Sequence, residues 1–252
     1  MKFPMKTESK QPEVILSGVT KTYSVPEGKK TACRNINFSA SKGEITGILG
    51  KNGAGKSTLI KIICAFQYPT TGKVLVCDTE DPVSIRRNAG YVSETPCLEQ
   101  NLTVNEILYF NASLYCNSKE EINNRIKKSV EVTEIKDVVN VKASALSKGY
   151  AQRVNLAKTL CTDPSVLVLD EFSGGLDPVQ TKKLRMEIKK LSAGKTIIIS
   201  THSIEEAAFL CDRIYIMKDG LIAASGTQKE LQEQTGTDSL ENAFIKTVGE
   251  EI

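Results

Sequence analysis

Residues 50–58 read GKNGAGKST, a fit to G-x-x-x-x-G-K-[ST]. Glycines at 50, 53 and 55 remove side chains where backbone N–H groups would have to converge on phosphate oxygens. Lys56 is spaced to reach the β- and γ-phosphates, and the Ser57 hydroxyl to reach Mg²⁺. Asn52, Ala54 and Thr58 complete the run and are assigned to the same site. The motif carries this meaning only between a strand and a helix. GEITGILG before it reads as a buried strand, and KSTLIKIICAF after it as a helix whose dipole presents its positive end to an anion. These residues predict a nucleoside triphosphate site.

A carboxylate pair completes the chemistry. Asp170 and Glu171 close the apolar run VLVLDE, at the sheet edge where open α/β folds bind ligands. Asp170 suits Mg²⁺, directly or through water, and Glu171 suits the general base that polarises an attacking water. A helix cap is the competing reading for either acid, weakened by their adjacency. A second phosphate cradle appears in LSKGYAQRVNLA, where Ser147 and Gly149 precede a helix-like run. The chain's one histidine, His202, ends another buried run, IIISTH.

These groups need a scaffold. The 252 residues are enough for one substantial core, and 40% hydrophobic with 25% charged residues is an ordinary globular balance. The net charge of +3 is mild, and Lys-rich stretches such as TKKLRMEIKK alternate with apolar residues, so they read as solvated helix faces and not as a nucleic-acid surface. No apolar run approaches the ~18 residues of a membrane span, and the polar start shows no signal-peptide core. The seven cysteines lack C-x-x-C or zinc spacing and read as small core residues of a cytosolic chain.

Along the chain, residues 1–12 are expected to form a loose tail. EVILSGV and NINFSA are two strands around a polar turn with Pro26 and Gly28, and GKVLVC and AGYVSE are two more. Thr103 with Glu106, and Ser118 with Glu121, are capping-box pairs opening two helices with no strand between them, so residues 95–160 are expected to be a helical insertion. The alternation resumes with SVLVLD, a helix capped by Asp177 with Pro178 in its first turn, the strand KTIIIS and a boxed helix at SIEEAAFLC. DRIYIMKDGLIAASG reads as a hairpin turning at Asp219-Gly220, and the segment 227–252 as a helical extension closing a domain of residues 13–226. The fold class is α/β.

GKNGAGKST, LSKGYAQR, VLVLDE, SGGLDP and STH, in this order, resemble the ATP-binding subunit of an ABC transporter over nearly the whole chain from Val14. The resemblance implies a P-loop NTPase core with a mainly parallel sheet, an N-terminal antiparallel β subdomain and a helical subdomain insertion. It implies ATP and Mg²⁺ as ligands, and two subunits packed head to tail, so that Ser147 and Gly149 of one chain meet the triphosphate held by Lys56 of the other. Tyr23 matches the aromatic that stacks on adenine, Asp177 the aspartate coupling the two sites, and His202 the switch histidine at the γ-phosphate. The implied partners are a second ATPase subunit, an identical chain, and a multispanning membrane permease. The implied place is the cytoplasmic face of the cell membrane, peripherally bound, with the permease docking between residues 94–101 and the helical lobe.

Two motifs depart from the family's pattern. Glu94 stands where glutamine is usual; it can still serve Mg²⁺ but cannot donate a hydrogen bond as an amide does. LSKGY replaces the commoner LSGGQ, keeping Ser147 and Gly149 while Lys148 and Tyr150 differ. Both variants, with the ending SLENAFIKT, resemble the ABC-2-type exporter branch, which implies export. Two rival classes remain at this point: a soluble ABC ATPase acting on chromosomes or ribosomes, for which the helical insert is short and a second cassette is missing, and a P-loop kinase or GTPase, which has no use for the signature or STH.

Overall fold

The computed structural model describes residues 11–249 except 27 and 175. The expected tail at 1–12 lies outside them up to residue 10. Pro12, placed in the tail by its polar surroundings, already pairs in a strand.

β1 (Pro12–Val25) and β2 (Gly28–Ser41) form an antiparallel hairpin longer than the apolar runs suggested, with Val25 opposite Gly28. Their alternation carries pairing beyond the apolar core residues, through Lys21, Thr22 and Tyr23. β3 (Ile45–Gly50), buried throughout, leads into α1 (Lys56–Ile63). That helix stops before the expected Phe66, because Ala65 adopts a left-handed φ of 52° and ends the helical ladder. β4 (Thr71–Val76) then returns to pair with the other edge of β1, giving a three-stranded antiparallel sheet in the order β2-β1-β4. A short helix absent from the sequence reading, α2 (Pro82–Asn88), is capped by Asp81 with Pro82 in its first turn. One buried side chain, Ile85, gave too little periodicity to reveal it.

β5 (Ala89–Val92) precedes three helices, α3 (Val104–Ser113), α4 (Lys119–Thr133) and α5 (Lys148–Leu160), packed around Val104, Ile107, Leu108, Ile122, Val154 and Ala157. The capping box at Thr103 and Glu106 closes in both directions. At Ser118 only half of it forms: the hydroxyl accepts from Glu121 N–H, while the Glu121 carboxylate accepts from Asn117 N–H and Arg125.

β6 (Val166–Asp170), α6 (Pro178–Ser192), β7 (Thr196–Thr201), α7 (Ile204–Leu210), β8 (Arg213–Lys218) and β9 (Leu221–Gly226) finish the second sheet, ordered β5-β6-β7-β3-β8-β9. Its first five strands are parallel and β9 is antiparallel to β8. Continuous apolar runs in the central strands follow from burial on both faces. Val166 and Val168 of β6 pack toward the antiparallel sheet and α1, while Leu167 and Leu169 pack with Leu184 and Ile188 of α6. The β8–β9 turn uses Asp219 at φ 48° and Gly220 at φ 76°, the pair of left-handed residues that a tight hairpin requires. At Ser203 the hydroxyl caps α7 by accepting from Glu206 N–H, but Glu206 turns inward to Arg185 and closes no box. α8 (Gln228–Thr235) and α9 (Leu240–Val248) pack their apolar faces on β8 through Leu231, Leu240 and Phe244.

Candidate functional site

The loop from β3 to α1 is fixed by its own side chain. Lys56 is only 5% exposed, and its ammonium donates to the carbonyls of Gly50 (2.8 Å) and Lys51 (3.2 Å). The loop therefore wraps around the ammonium, and the Ala54 N–H donates to the Lys51 carbonyl (3.2 Å) within it. Gly55 enters the helix at φ 107°, and a Cβ there would lie 2.4 Å from the Ala32 carbonyl oxygen, so glycine is required on two counts.

β6 delivers the acids beside this loop. Asp170, buried, accepts from Ser200 Oγ at one carboxylate oxygen and from Tyr91 Oη (3.0 Å) at the other. Tyr91 comes from β5 and Ser200 from β7, the strands on either side of β6. Burial, and then the Asp170 charge, push the Tyr91 phenol well above its usual range, so it stays a donor. Glu171 turns the chain at a left-handed φ of 45°, with its N–H donating to the Ser200 carbonyl (3.1 Å). Such strain in a non-glycine residue is held in place by its surroundings. One oxygen of its carboxylate lies 3.6 Å from Lys56 Nζ, and the other accepts from His202 Nδ1 at 2.9 Å. Lys56, Glu171 and His202 thus converge, the first more than a hundred positions from the other two.

An open cleft of about 680 Å³ runs from Tyr23 to Glu171, lined on the way by Asn52, Gly53, Gly55, Lys56, Ser57, Thr58 and Glu94. A second cleft of about 410 Å³ continues beyond Glu94 and Glu171, which line both, to His202 and Lys148. The set Ser57, Asp170 and Glu94 offers hard oxygen donors, the chemistry Mg²⁺ prefers. Among the described residues no three His, Cys, Asp or Glu side chains form a self-sufficient metal cage.

Three predicted residues stand apart. Ser147 caps α5 by accepting from Tyr150 N–H (3.3 Å), and Gly149 follows in its first turn; neither lines the two clefts. Asp177 caps α6, accepting from the N–H groups of Val179 (2.9 Å) and Gln180 (3.0 Å), and is exposed.

Sequence reasoning missed Tyr91 and Ser200, whose role depends on strand order. It also missed the face of α5 that grips the segment around Glu94: Gln152 and Asn155 donate to the Ser93 carbonyl (3.3 and 3.2 Å), Thr159 to that of Tyr91 (3.2 Å) and Lys158 to that of Cys97 (2.6 Å). The spacing 152, 155, 159 was the available signal, a polar stripe buried on a helix.

Comparison with known proteins decides the family. A family model described as ABC transporter matches residues 33–174, which take in the glycine loop, the LSKGY turn and the acid pair. The chain belongs to the ABC transporter family. As an ABC transporter ATP-binding domain, it is similar to the probable multidrug ABC transporter ATP-binding protein YbhF of Escherichia coli K12, 34% identical over 230 residues, covering 88% of the chain and 40% of that protein. It thus spans well under half the length of that relative. It is 35% identical over 233 residues to the Nod factor export ATP-binding protein I of Rhizobium johnstonii, covering 90% and 74% of the two chains. The methionine import ATP-binding protein MetN of Haemophilus influenzae is 32% identical over 243 residues, at 93% and 70%. Among solved structures, the ATP binding subunit of an ABC transporter superposes with a TM-score of 0.86 at 27% identity, covering 94% and 99%. The dimeric structure of MJ0796, a bacterial ABC transporter cassette, does so with 0.77 at 31% identity, covering 85% and 98%. The P-loop NTPase fold of ABC ATPases, with its antiparallel β subdomain, parallel sheet and helices, is therefore the fold of this chain.

Proposed function

We propose that this chain is the ATP-hydrolysing subunit of an export-type ABC transporter, closing as a dimer around ATP to drive a separate membrane subunit. The observation that carries the reading is Glu171, whose carboxylate stands between Lys56 (3.6 Å) and His202 (2.9 Å) at the end of the glycine-loop cleft. A carboxylate so held can polarise a water at the γ-phosphate, while the imidazole fixes its orientation and the ammonium meets the phosphate charge. Tyr23 supplies the stacking face for adenine, and Asn52, Gly53, Gly55 and Thr58 of the cleft lining, with Gly50 and Ala54 of the same loop, would cradle the triphosphate. Ser57 and Asp170, with Glu94, would hold Mg²⁺. That ion would neutralise charge on the phosphate oxygens.

Ser147 and Asp177, both exposed, and the half-buried Gly149 lie outside both clefts and are assigned to the opposite protomer's nucleotide. The similarity to a dimeric cassette supports this assignment. No helix among the described residues is long and apolar enough to cross a membrane, and the subunit is assigned peripherally to the cytoplasmic face, on a multispanning permease. Exposed Tyr109, Phe110 and Leu114 on and after α3 suit the docking of a short permease helix beside residues 94–101. Export rests on the LSKGY and Glu94 variants and the SLENAFIKT ending, supported by the relative named for Nod factor export. The domain division at 13–226, with 95–160 as the helical lobe and 227–252 as an extension, belongs to the same proposal.

The test is Glu171→Gln. ATP binding should persist while turnover falls by about 10²–10⁴-fold, the usual worth of a positioned general base. Hydrolysis at the normal rate would remove Glu171 from this role.

A further inference from the structure

The glycine-loop helix has a second connection to the cleft, through the Tyr23 hydroxyl. Tyr23 Oη donates to Gln67 Oε1 and lies 3.5 Å from Thr58 Oγ1, from which it can accept. Thr58 belongs to the first turn of α1. Gln67 follows the end of that helix, and its backbone N–H donates to the Lys61 carbonyl (3.1 Å) inside it. Both partners of the phenol are therefore referenced to one rigid element, the helix whose N-terminus forms the phosphate cradle. The strand carrying Tyr23 is bound to the same segment: Lys21 Nζ donates to the Tyr68 carbonyl (2.7 Å), Thr22 N–H to Thr70 Oγ1 (3.0 Å), and Thr70 N–H to the Thr20 carbonyl (2.7 Å). The Lys21 ammonium also stands 5.3 Å from the centroid of the Tyr23 ring.

We infer that Gln67 is a positioning residue for nucleotide-base recognition, fixing the Tyr23 ring at a set distance and tilt from the triphosphate loop. This rests on the reading of Tyr23 as the stacking platform. A tyrosine on a strand end can rotate about two bonds, and stacking on a free ring must first immobilise it. Anchoring the hydroxyl removes that cost before the nucleotide arrives, and the gain appears in affinity for the base alone. Gln67 supplies an acceptor for the phenolic proton and Thr58 a donor for its lone pair, so the phenol is satisfied in one orientation. The Lys56 ammonium, which would meet the triphosphate, bonds to the Gly50 and Lys51 carbonyls and faces Glu171, not Gln67.

The experiment measures binding of ATP and of inorganic tripolyphosphate, which has no base, to the full chain. Gln67→Ala should weaken ATP by about three- to tenfold, as one hydrogen bond is worth, and leave tripolyphosphate unchanged. Gln67→Glu keeps an acceptor and should retain most of the ATP affinity. In steady-state turnover the Ala variant should raise KM with kcat preserved. Unchanged ATP affinity, or an equal loss for both ligands, would overturn the assignment of Gln67. Tyr23→Ala separates the two claims. If it leaves the ratio of the two affinities unmoved, the stacking platform itself is wrong; if it shifts the ratio and Gln67→Ala does not, only the role of Gln67 falls.

Discussion

Lys56 fastens its own loop, and in the proposed reading it is also the ligand for the phosphate that the loop presents. With its ammonium bonded to two loop carbonyls and 3.6 Å from Glu171, its removal takes away charge, shape and the partner of a partly buried acid together. Lys56→Ala should therefore abolish binding of ATP and of tripolyphosphate alike in isothermal titration, unlike the base-selective effect expected at Gln67. Retained tripolyphosphate binding would place the phosphate elsewhere. Lys56, Glu171 and His202 were legible in the sequence because each stands at a fixed offset from a strand end, and the parallel sheet brings such ends to one edge. Tyr91, Ser200 and Gln67 were not, because their partners are set by strand neighbours and by a helix's far end. Thiols show the same divide between type and place. Burial pushes Cys33 and Cys161 up to about 11, whereas Cys97 is exposed on the segment held by Lys158.

At the scale of elements, local and non-local information separate further. The strands β3, β6 and β7 were readable because burial on both faces forces unbroken apolar runs, and capped helices because capping residues are local. The pairing of β4 with β1 was not readable: sheet order follows from how the crossover packs, and the alternation of a strand is the same in either sheet. Caps also make a pH prediction. Glu106 accepts from the N–H and the hydroxyl of Thr103. These bonds favour the charged form and hold its carboxyl below the ordinary glutamate range. A lowered folded-state value means that the stabilisation is complete above the unfolded-state value and is lost as pH falls through the folded one. Glu106→Gln should therefore be less stable than the parent near neutral pH and converge with it in acid, read as the urea midpoint against pH. A constant gap down to the acid limit would show that the box acts without its charge.

On the scale of the whole molecule, the proposed function makes the chain hold two halves of a site, of which only the glycine-loop half lines its own cleft. Ser147 and Gly149 stand at the start of a helix of thirteen residues, yet they line neither cleft. That helix is not independent of the cleft, since its side chains hold the carbonyls of Tyr91, Ser93 and Cys97 around Glu94. Movement of α5 against a partner's phosphate would then be felt at Glu94, and through Tyr91 at Asp170. If the two halves are completed between copies, defects in different halves must complement. Lys56→Ala destroys one half and Gly149→Asp the other, by setting a carboxylate against phosphate, so each alone should be inactive. In an equal mixture, random pairing makes half of the dimers mixed, and each mixed dimer has one intact site in two. Turnover should return to about a quarter of the parent rate if two-fold pairing is random and the sites act independently. The Glu171→Gln chain with ATP and Mg²⁺ should in parallel double its mass in light scattering. An inactive mixture together with a monomeric Glu171→Gln chain would mean that each nucleotide is served by a single copy, and that α5 needs a different ligand.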